Sequence, residues 1–198
     1  MIDTEIETKI NKINVDEIVK ALKRNKAKFL ENFFFRRYVF NLEDPEGADR
    51  FIRLRTDGKK TTLTYKRRLG SSLANTEEIE VGVSDFDTTA KILSQIVPNP
   101  LYQESKRTSY LLEGVEISID EWPKLPPILE IEADSEEKIK DVIKKLSIKG
   151  RELGNIGWEK VYSIYGMDLR SFKILKFDYS EWRQFIMLGE SICKMIKE

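Results

Sequence analysis

The feature that most constrains the fold of this chain is an alternation of charged and apolar residues that recurs along most of its length. Near the N-terminus, Glu5, Glu7 and Lys9 alternate with Ile6 and Ile10. Successive side chains of a β-strand point to opposite faces, so the three charged residues share one face and the isoleucines share the other. The pattern therefore predicts a strand with one charged and one apolar face.

Similar alternation predicts further strands, which bring the expected total to about eight. These strands comprise residues 33–40, 51–55, 61–67, 78–83, 106–112, 115–120 and 128–132. The dipeptides Asp57-Gly58 and Glu113-Gly114 predict tight turns between neighbouring strands. Antiparallel hairpins are therefore expected, rather than a parallel sheet.

Amphipathic segments predict four or five helices, at about residues 15–28, 85–97, 136–146, 157–165 and 181–196. Asn14 and Ser84 are the expected N-caps of the first two helices. The last helix is apolar on one side and is expected to pack outside the sheet, with Cys193 among its buried packing residues. The same apolar side is compatible with a homodimer. The expected fold class is α+β, in a single domain over residues 1–198.

Composition excludes several classes of function. The chain has 34 Lys and Arg against 34 Asp and Glu, so no net charge attracts nucleic acid or a membrane surface. It contains no histidine, which excludes imidazole general bases and the usual zinc sites. The single cysteine excludes an intrachain disulfide and a cysteine-only metal site. Carboxylate oxygen remains as the available metal ligand, and it suits Mg2+ or Mn2+.

The sequence also shows no recognisable targeting signal. The N-terminal residues are acidic and lack the form of a signal peptide, and no apolar run is long enough to span a bilayer. A cytoplasmic location and the absence of a membrane partner are therefore expected.

The charged face of the predicted strands can be accommodated in two ways. Its members are Glu5, Glu7, Lys9, Arg53, Arg55, Lys66, Glu78, Glu80, Arg107, Glu116, Asp120, Glu130 and Glu132. On an open sheet they would face water, where each ion pair stabilises the fold by only about 0–1 kcal/mol. In a closed barrel of eight strands they would line an interior just wide enough for one small ligand, at a cost of several kcal/mol per unpaired ion. A bound polyanion with a divalent cation would offset that cost, but composition does not choose between the two arrangements.

The ordered motifs of these strands resemble the CYTH superfamily, whose members are also called triphosphate tunnel metalloenzymes. The resemblance begins with Glu5-x-Glu7-x-Lys9, which is similar to the family's ExExK signature. It continues through Arg53-x-Arg55, Lys66, Glu78-x-Glu80, Arg107, Asp120 and Glu130-x-Glu132, and covers roughly residues 1–170.

The resemblance implies a closed eight-stranded antiparallel β-barrel that binds a triphosphate and Mg2+ or Mn2+, with helices packed outside. The implied metal-binding residues are Glu5, Glu7, Asp120, Glu130 and Glu132. The implied substrate-binding residues are Lys9, Arg53, Arg55, Lys66 and Arg107, and the implied catalytic residues are Glu5, Glu7 and Lys9. Glu78 and Glu80 match acidic positions of the family, and the resemblance leaves open whether they do more than orient the basic residues.

Two departures from the family pattern bear on function. Many members have Lys-x-Arg where this chain has Ser105-Lys106-Arg107, and Lys106 should point to the face opposite Arg107. One phosphate contact is therefore expected to be weakened. Many class IV adenylyl cyclases carry a His-Phe pair ahead of the ExExK signature, and this chain has no histidine. That difference favours a hydrolase over a cyclase.

The leading hypothesis is a metal-dependent triphosphatase acting on inorganic tripolyphosphate, thiamine triphosphate or a nucleoside triphosphate. A first alternative is an adenylyl cyclase of class IV, which would convert ATP to cyclic AMP and pyrophosphate. A second is a non-catalytic module that binds polyphosphate or a nucleotide.

Overall fold

The computed structural model describes residues 6–68 and 76–178, which form one antiparallel sheet with helices beside it. The strands are β1 (Ile6–Asn11), β2 (Lys28–Leu42), β3 (Asp49–Thr56), β4 (Thr61–Arg68), β5 (Thr76–Gly82), β6 (Leu101–Leu112), β7 (Val115–Glu121), β8 (Ile128–Ala133), β9 (Arg151–Gly154) and β10 (Ile174–Leu175). The helices are α1 (Val15–Arg24), α2 (Phe86–Ile96), α3 (Glu136–Lys145) and α4 (Trp158–Ile164), with a 3-10 helix at Leu169–Ser171.

The order of strands in the sheet corrects the prediction of a closed eight-stranded barrel. Within the described residues ten strands share one sheet, in the order β5-β4-β3-β2-β6-β7-β8-β1-β9, and β10 pairs with β6 in parallel. In this part of the chain β5 pairs only with β4, and β9 only with β1. The hydrogen-bonded ladder therefore does not close. The α+β class and the antiparallel hairpins are confirmed.

The sheet is nevertheless strongly curled. Side chains of β4 and β1 line the same cavity, although six strand-to-strand steps separate these strands in the sheet. In a flat sheet, six steps would put them roughly 29 Å apart, at about 4.8 Å per step. Curling brings the charged faces of the strands together without requiring a closed ladder.

The apolar faces of the strands lie on the outside of the curl, where the helices cover them. One cluster packs α1 and α3 against β1, β6, β7 and β8, with Leu22, Ile117, Leu129 and Ile131 at its centre. A second packs α2 against β2 and β3. In the described part of the chain, no helix combines the length and the apolar character needed to cross a membrane.

Several boundaries differ from the sequence predictions for local reasons. Helix α2 is capped by Asp85 and not by Ser84, because the Asp85 side chain accepts a hydrogen bond from the N–H of Thr88. Strand β2 begins at Lys28, ahead of the aromatic run, and its register against β6 shifts between Phe29 and Glu31. The short strands β9 and β10 were not predicted. The helix predicted at 181–196 lies outside the described residues.

Candidate functional site

The concave side of the sheet encloses a cavity of about 730 Å³, called here the sheet cavity. Seven strands contribute side chains to it, together with residues 155–158 ahead of and at the start of α4. Its lining comprises Glu7, Lys9, Phe35, Arg37, Arg53, Arg55, Lys66, Arg68, Ser105, Arg107, Asp120, Trp122, Glu130, Glu132, Asn155, Ile156, Gly157 and Trp158. The cavity is large enough for a small-molecule ligand.

The lining carries an excess of positive charge. Seven of the described lining residues are Lys or Arg and four are Asp or Glu, which leaves a formal excess of three positive charges. The carboxylates come from β1, β7 and β8, whereas four of the arginines come from β2, β3 and β4. The sheet cavity therefore has an acidic side and a basic side.

The acidic side is a network in which each buried charge has a partner. Lys9, only 3% exposed, lies with its Nζ 2.8 Å from Glu7 Oε1 and 2.9 Å from Glu130 Oε2. Arg107 donates two hydrogen bonds of 2.7 Å to the carboxylate of Asp120 and a third of 2.7 Å to Glu130 Oε1. Such bidentate, charge-assisted bonds hold both partners in one geometry.

Burial and these partners act on the pKa values in opposite directions. Burial raises the pKa of Glu130, but Arg107 and Lys9 together outweigh burial and leave that pKa below its ordinary value. Burial lowers the pKa of Lys9, and Glu130 and Glu7 outweigh it, so that the net pKa is raised. For Asp120 burial dominates over Arg107, and its pKa is raised to about 6. Glu130 and Lys9 are thus both charged at neutral pH.

Three carboxylates of the acidic side form a group suited to a divalent metal. One oxygen each from Glu7, Glu130 and Glu132 lies within 4.8 Å of the others. Glu132 is directly opposite Glu7 on β1 and opposite Glu116 on β7, so three carboxylates stand in one cross-strand row. Like charges placed opposite each other are destabilising. This all-oxygen set fits a hard cation such as Mg2+ or Mn2+.

The basic side has the opposite character, because its four arginines lack carboxylate partners. Among the described residues, Arg37, Arg53, Arg55 and Arg68 form no ion pair with Asp or Glu. The Nε atoms of Arg37, Arg53 and Arg68 are buried and make no hydrogen bond. Burial lowers the pKa of Arg55, and Arg53 lowers it further. A half-buried cluster of like charges with unused hydrogen-bond donors would be stabilised by a bound anion.

A second row of polar contacts supports the basic side from β5. Glu78 Oε2 is 2.8 Å from Lys66 Nζ. Glu80 Oε2 accepts a 2.7 Å hydrogen bond from Thr64, whose hydroxyl accepts a long one of 3.5 Å from Arg53. Neither glutamate lines the sheet cavity, and both are exposed. Glu78 thus contacts Lys66 directly, and Glu80 is linked to Arg53 through Thr64.

Aromatic rings complete the wall of the sheet cavity. The rings of Trp122 and Trp158 stack with centroids 4.5 Å apart. The guanidinium of Arg37 lies over the ring of Trp122, 4.4 Å from its centroid, and that of Arg55 lies 5.2 Å from the centroid of the Phe35 ring. These contacts stabilise cations without neutralising them.

The structure brings together nine of the ten residues predicted for the site. They are Glu7, Lys9, Arg53, Arg55, Lys66, Arg107, Asp120, Glu130 and Glu132. Glu5, predicted as a catalytic and metal-binding residue, lies outside the described residues. Lys106 points to the outer face, over the ring of Phe177, as predicted from the alternation.

Sequence reasoning missed other residues of the lining. Arg68 continues the alternation of Thr64 and Lys66, so a longer strand prediction would have included it. Arg36 and Arg37 are adjacent, and without the register nothing indicates which of them faces inward. No sequence signal placed Trp122 or Trp158 beside the charges.

Known protein families and structures were compared with the chain. The sequence model of the CYTH domain family matches residues 3–161. No protein with a curated function matches the chain.

Among solved structures, the PH1012 protein from Pyrococcus horikoshii is 24% identical, with a TM-score of 0.57, over 74% of this chain and 92% of its own. A conserved hypothetical protein from Pyrococcus furiosus gives the same values. HpAC1 from Hippeastrum, for which a dominant triphosphatase activity is described, is 14% identical, with a TM-score of 0.52, over 81% of this chain and 95% of its own. These likenesses concern the fold.

Proposed function

Because the chain belongs to the CYTH domain family, whose members include triphosphatases and adenylyl cyclases, we propose that it is a metal-dependent triphosphatase that binds its substrate in the sheet cavity. The observation that carries this proposal is the set of unpaired arginines on the basic side. Within the described residues, four arginines face a common space without carboxylate partners, and three of them have buried, unused Nε donors. A polyphosphate has the charge and the oxygen acceptors that these guanidinium groups need.

The basic side would bind the phosphate chain. Arg53 and Arg55 alternate on β3, and Lys66 and Arg68 do so on β4, so that two neighbouring strands present paired cations to one ligand. Arg guanidinium groups donate bidentate hydrogen bonds to phosphate oxygens. Because these groups are already desolvated and oriented, they stabilise developing negative charge without large reorganisation.

The acidic side would hold the metal. Glu7, Glu130 and Glu132 supply the oxygen ligands, and Glu5 is added from the family resemblance alone. Asp120 is engaged in two hydrogen bonds with Arg107, so its assigned role here is to orient that arginine rather than to bind the metal. When bound, a divalent cation would polarise the phosphoryl group and stabilise the leaving phosphate.

The three carboxylates of this group differ in burial and therefore in their access to a water molecule. Glu130 accepts bonds from both Lys9 and Arg107 and stays ionised, because its pKa is lowered. Glu7 and Glu132 are half-buried and face the space between the acidic and basic sides. One of these two carboxylates would accept a hydrogen bond from the attacking water and orient it toward the terminal phosphorus.

One observation favours adenylyl cyclase as a second candidate. Trp158, Trp122 and Phe35 line the sheet cavity, and aromatic faces can stack on a purine. In that reaction the nucleophile would be the ribose 3′-hydroxyl of ATP, and the products cyclic AMP and pyrophosphate. The cyclase is the second candidate because the chain lacks the histidine of many class IV adenylyl cyclases. In addition, no hydrogen bond to the adenine ring is assigned to a residue of the lining.

A product assay separates these candidates. The chain is incubated with tripolyphosphate, thiamine triphosphate or ATP, each with Mg2+, Mn2+ or EDTA, and orthophosphate, pyrophosphate and cyclic AMP are quantified. Orthophosphate release that EDTA abolishes is expected. Cyclic AMP as the main product would replace the proposal with the cyclase, and no product from any substrate would leave a binding module.

Two variants test the assigned sides of the sheet cavity. Glu132→Gln should lower kcat by roughly a hundredfold, the typical share of a group that positions the nucleophile. Arg55→Ala should chiefly raise KM, by about tenfold to a hundredfold, through loss of a charge-assisted hydrogen bond. Glu136→Gln, on the exposed side of α3, is the matched control and should leave both constants unchanged. Wild-type kinetics in Glu132→Gln or Arg55→Ala would contradict the role assigned to that residue.

A further inference from the structure

Arg37 is a cavity-facing cation whose surroundings do not neutralise it. Its neighbour Arg36 points to the outer face, where it lies over the ring of Phe86 and 3.7 Å from Asp87. Arg37 has no carboxylate partner among the described residues, and its buried Nε makes no hydrogen bond. Adjacent arginines on one strand thus have opposite environments.

Two neutral groups hold the guanidinium of Arg37 in place. The face of Trp122 lies 4.4 Å away, and Arg37 Nη2 donates a hydrogen bond to Ser105 Oγ on β6. Trp122 is itself stacked on Trp158 at 4.5 Å, and it is only 4% exposed. A planar cation clamped between a ring and a hydroxyl is oriented but keeps its full charge.

The neighbouring Arg53 and Arg55 add to the positive charge around Arg37. Burial lowers the pKa of Arg37, and the neighbouring Arg55 and Arg53 lower it further. Three guanidinium groups thus converge on one region of the sheet cavity from β2 and β3. Assembling buried like charges costs free energy unless a multivalent anion binds between them.

Ser105 explains why β2 supplies this cation. The family resemblance implies a lysine at position 105, and β6 presents only a hydroxyl there. In the β2–β6 ladder Phe35 is opposite Ser105, and Arg37 is two residues further along β2. The small side chain at 105 leaves space for the guanidinium, which donates a hydrogen bond to the Ser105 hydroxyl.

We propose that Arg37 is a triphosphate-binding residue that supplies from β2 the cation that β6 lacks at Ser105, with Trp122 and Ser105 as its positioning residues. The inference rests on the proposed function in that its ligand is the triphosphate. It concerns binding, so it is testable apart from turnover.

The test measures the Kd of inorganic tripolyphosphate by calorimetry in EDTA and again with Mg2+. Arg37→Ala is expected to raise Kd by about tenfold to a hundredfold, the loss of a hydrogen bond between charged groups. Arg36→Ala, one residue away on the outer face, is the matched control and should keep the wild-type Kd. Arg37→Lys should be intermediate, because an ammonium group keeps the charge but loses the planar stack.

A double variant that moves the cationic side chain from β2 to β6 gives the decisive comparison. The double variant Arg37→Ala/Ser105→Lys returns the cation to β6 and should recover most of the lost affinity. Trp122→Phe should raise Kd less than Arg37→Ala does. Thermal unfolding of every variant identifies any loss of fold, and Arg37→Lys then carries the comparison if the alanine variant does not fold.

The outcomes separate this inference from the proposed function. If the wild-type chain binds tripolyphosphate through Arg37 but releases no orthophosphate, the hydrolase proposal fails and the inference stands. If the chain hydrolyses triphosphates while Arg37→Ala keeps the wild-type Kd and KM, the inference is overturned and the proposed function stands. Failure of the wild-type chain to bind tripolyphosphate would overturn the inference as well.

Discussion

At the scale of single residues, Lys9 connects the stability of the fold with the candidate site, because its partners are carboxylates of that site. It lies between Glu7 and Glu130, with both Nζ–oxygen distances below 3 Å, and is nearly inaccessible to solvent. A buried ion pair adds little net stability, yet removing one member leaves an uncompensated charge. The carboxylates that would bind a metal therefore depend on Lys9 when no metal is present.

We predict that Lys9→Met lowers the free energy of unfolding by about 3 kcal/mol in EDTA, because it leaves Glu130 with one cation fewer in a buried position. Urea unfolding followed by circular dichroism measures this. The control is Lys138→Met, which breaks an exposed ion pair with Asp134 and should cost well under about 1 kcal/mol. An equal decrease in the free energy of unfolding in the two variants would contradict the role assigned to burial of the Lys9 ion pairs.

At the scale of elements, the turn between β2 and β3 is tied to β4 by Asp44. Its carboxylate accepts a 2.8 Å hydrogen bond from Arg67 Nε and further bonds from the N–H groups of Glu46 and Ala48. The hydrogen bond from Arg67 is the main cause that lowers the pKa of Asp44 to about 2, with the two backbone bonds contributing. The turn thereby holds β3 and β4, which carry much of the basic side.

The sign of the resulting pH dependence follows from linkage. Between about pH 2 and pH 4 the unfolded chain binds a proton at Asp44 that the folded chain does not, so stability rises with pH. The contribution of Asp44 is present above about pH 4 and is lost as the pH falls through about 2. Asp44→Asn should therefore show a shallower fall in the free energy of unfolding across that window.

Urea titrations at several pH values between 2 and 5 measure that slope. Asp141→Asn, at an exposed position of α3, is the matched control and should keep the slope of the wild-type chain. An Asp44→Asn variant with the same slope as wild type would show that the bond to Arg67 does not bias the protonation of Asp44.

At the scale of the whole molecule, the sheet is curled but not closed by hydrogen bonds in its described part. A ligand that filled the sheet cavity would contact both β4 and β1 and would join the two sides of the curl, which no strand pairing joins in the described residues. A ligand that binds only the folded state stabilises that state by mass action.

We therefore predict that tripolyphosphate with Mg2+ raises the free energy of unfolding, by about 2.7 kcal/mol at a ligand concentration one hundred times Kd. Denaturant unfolding at increasing ligand concentration measures the shift. In Arg53→Ala/Arg55→Ala the same concentrations should have little effect, whereas the control Glu136→Gln should respond as wild type does. A wild-type chain whose stability is independent of the ligand would contradict this role of the sheet cavity.

The sequence alone predicted eight of the ten strands in the described part of the chain, the faces of their side chains and a set of candidate site residues. Alternation with a period of two is set locally, so Glu7, Lys9, Arg53, Arg55, Glu130 and Glu132 could be assigned to one charged face before any contact was known. The ordered motifs then indicated the family, and the absence of histidine narrowed the metal ligands to carboxylates.

Tertiary structure alone decided which strands meet and how the charges are shared. Pairing of distant strands depends on packing and register, which no local pattern encodes. For that reason the number of strands, the unclosed ladder, the partners of Lys9 and the inward direction of Arg37 could not be deduced from the sequence. The same holds for Trp122 and Trp158, because their place beside the charges arises only when α4 packs against the end of β7.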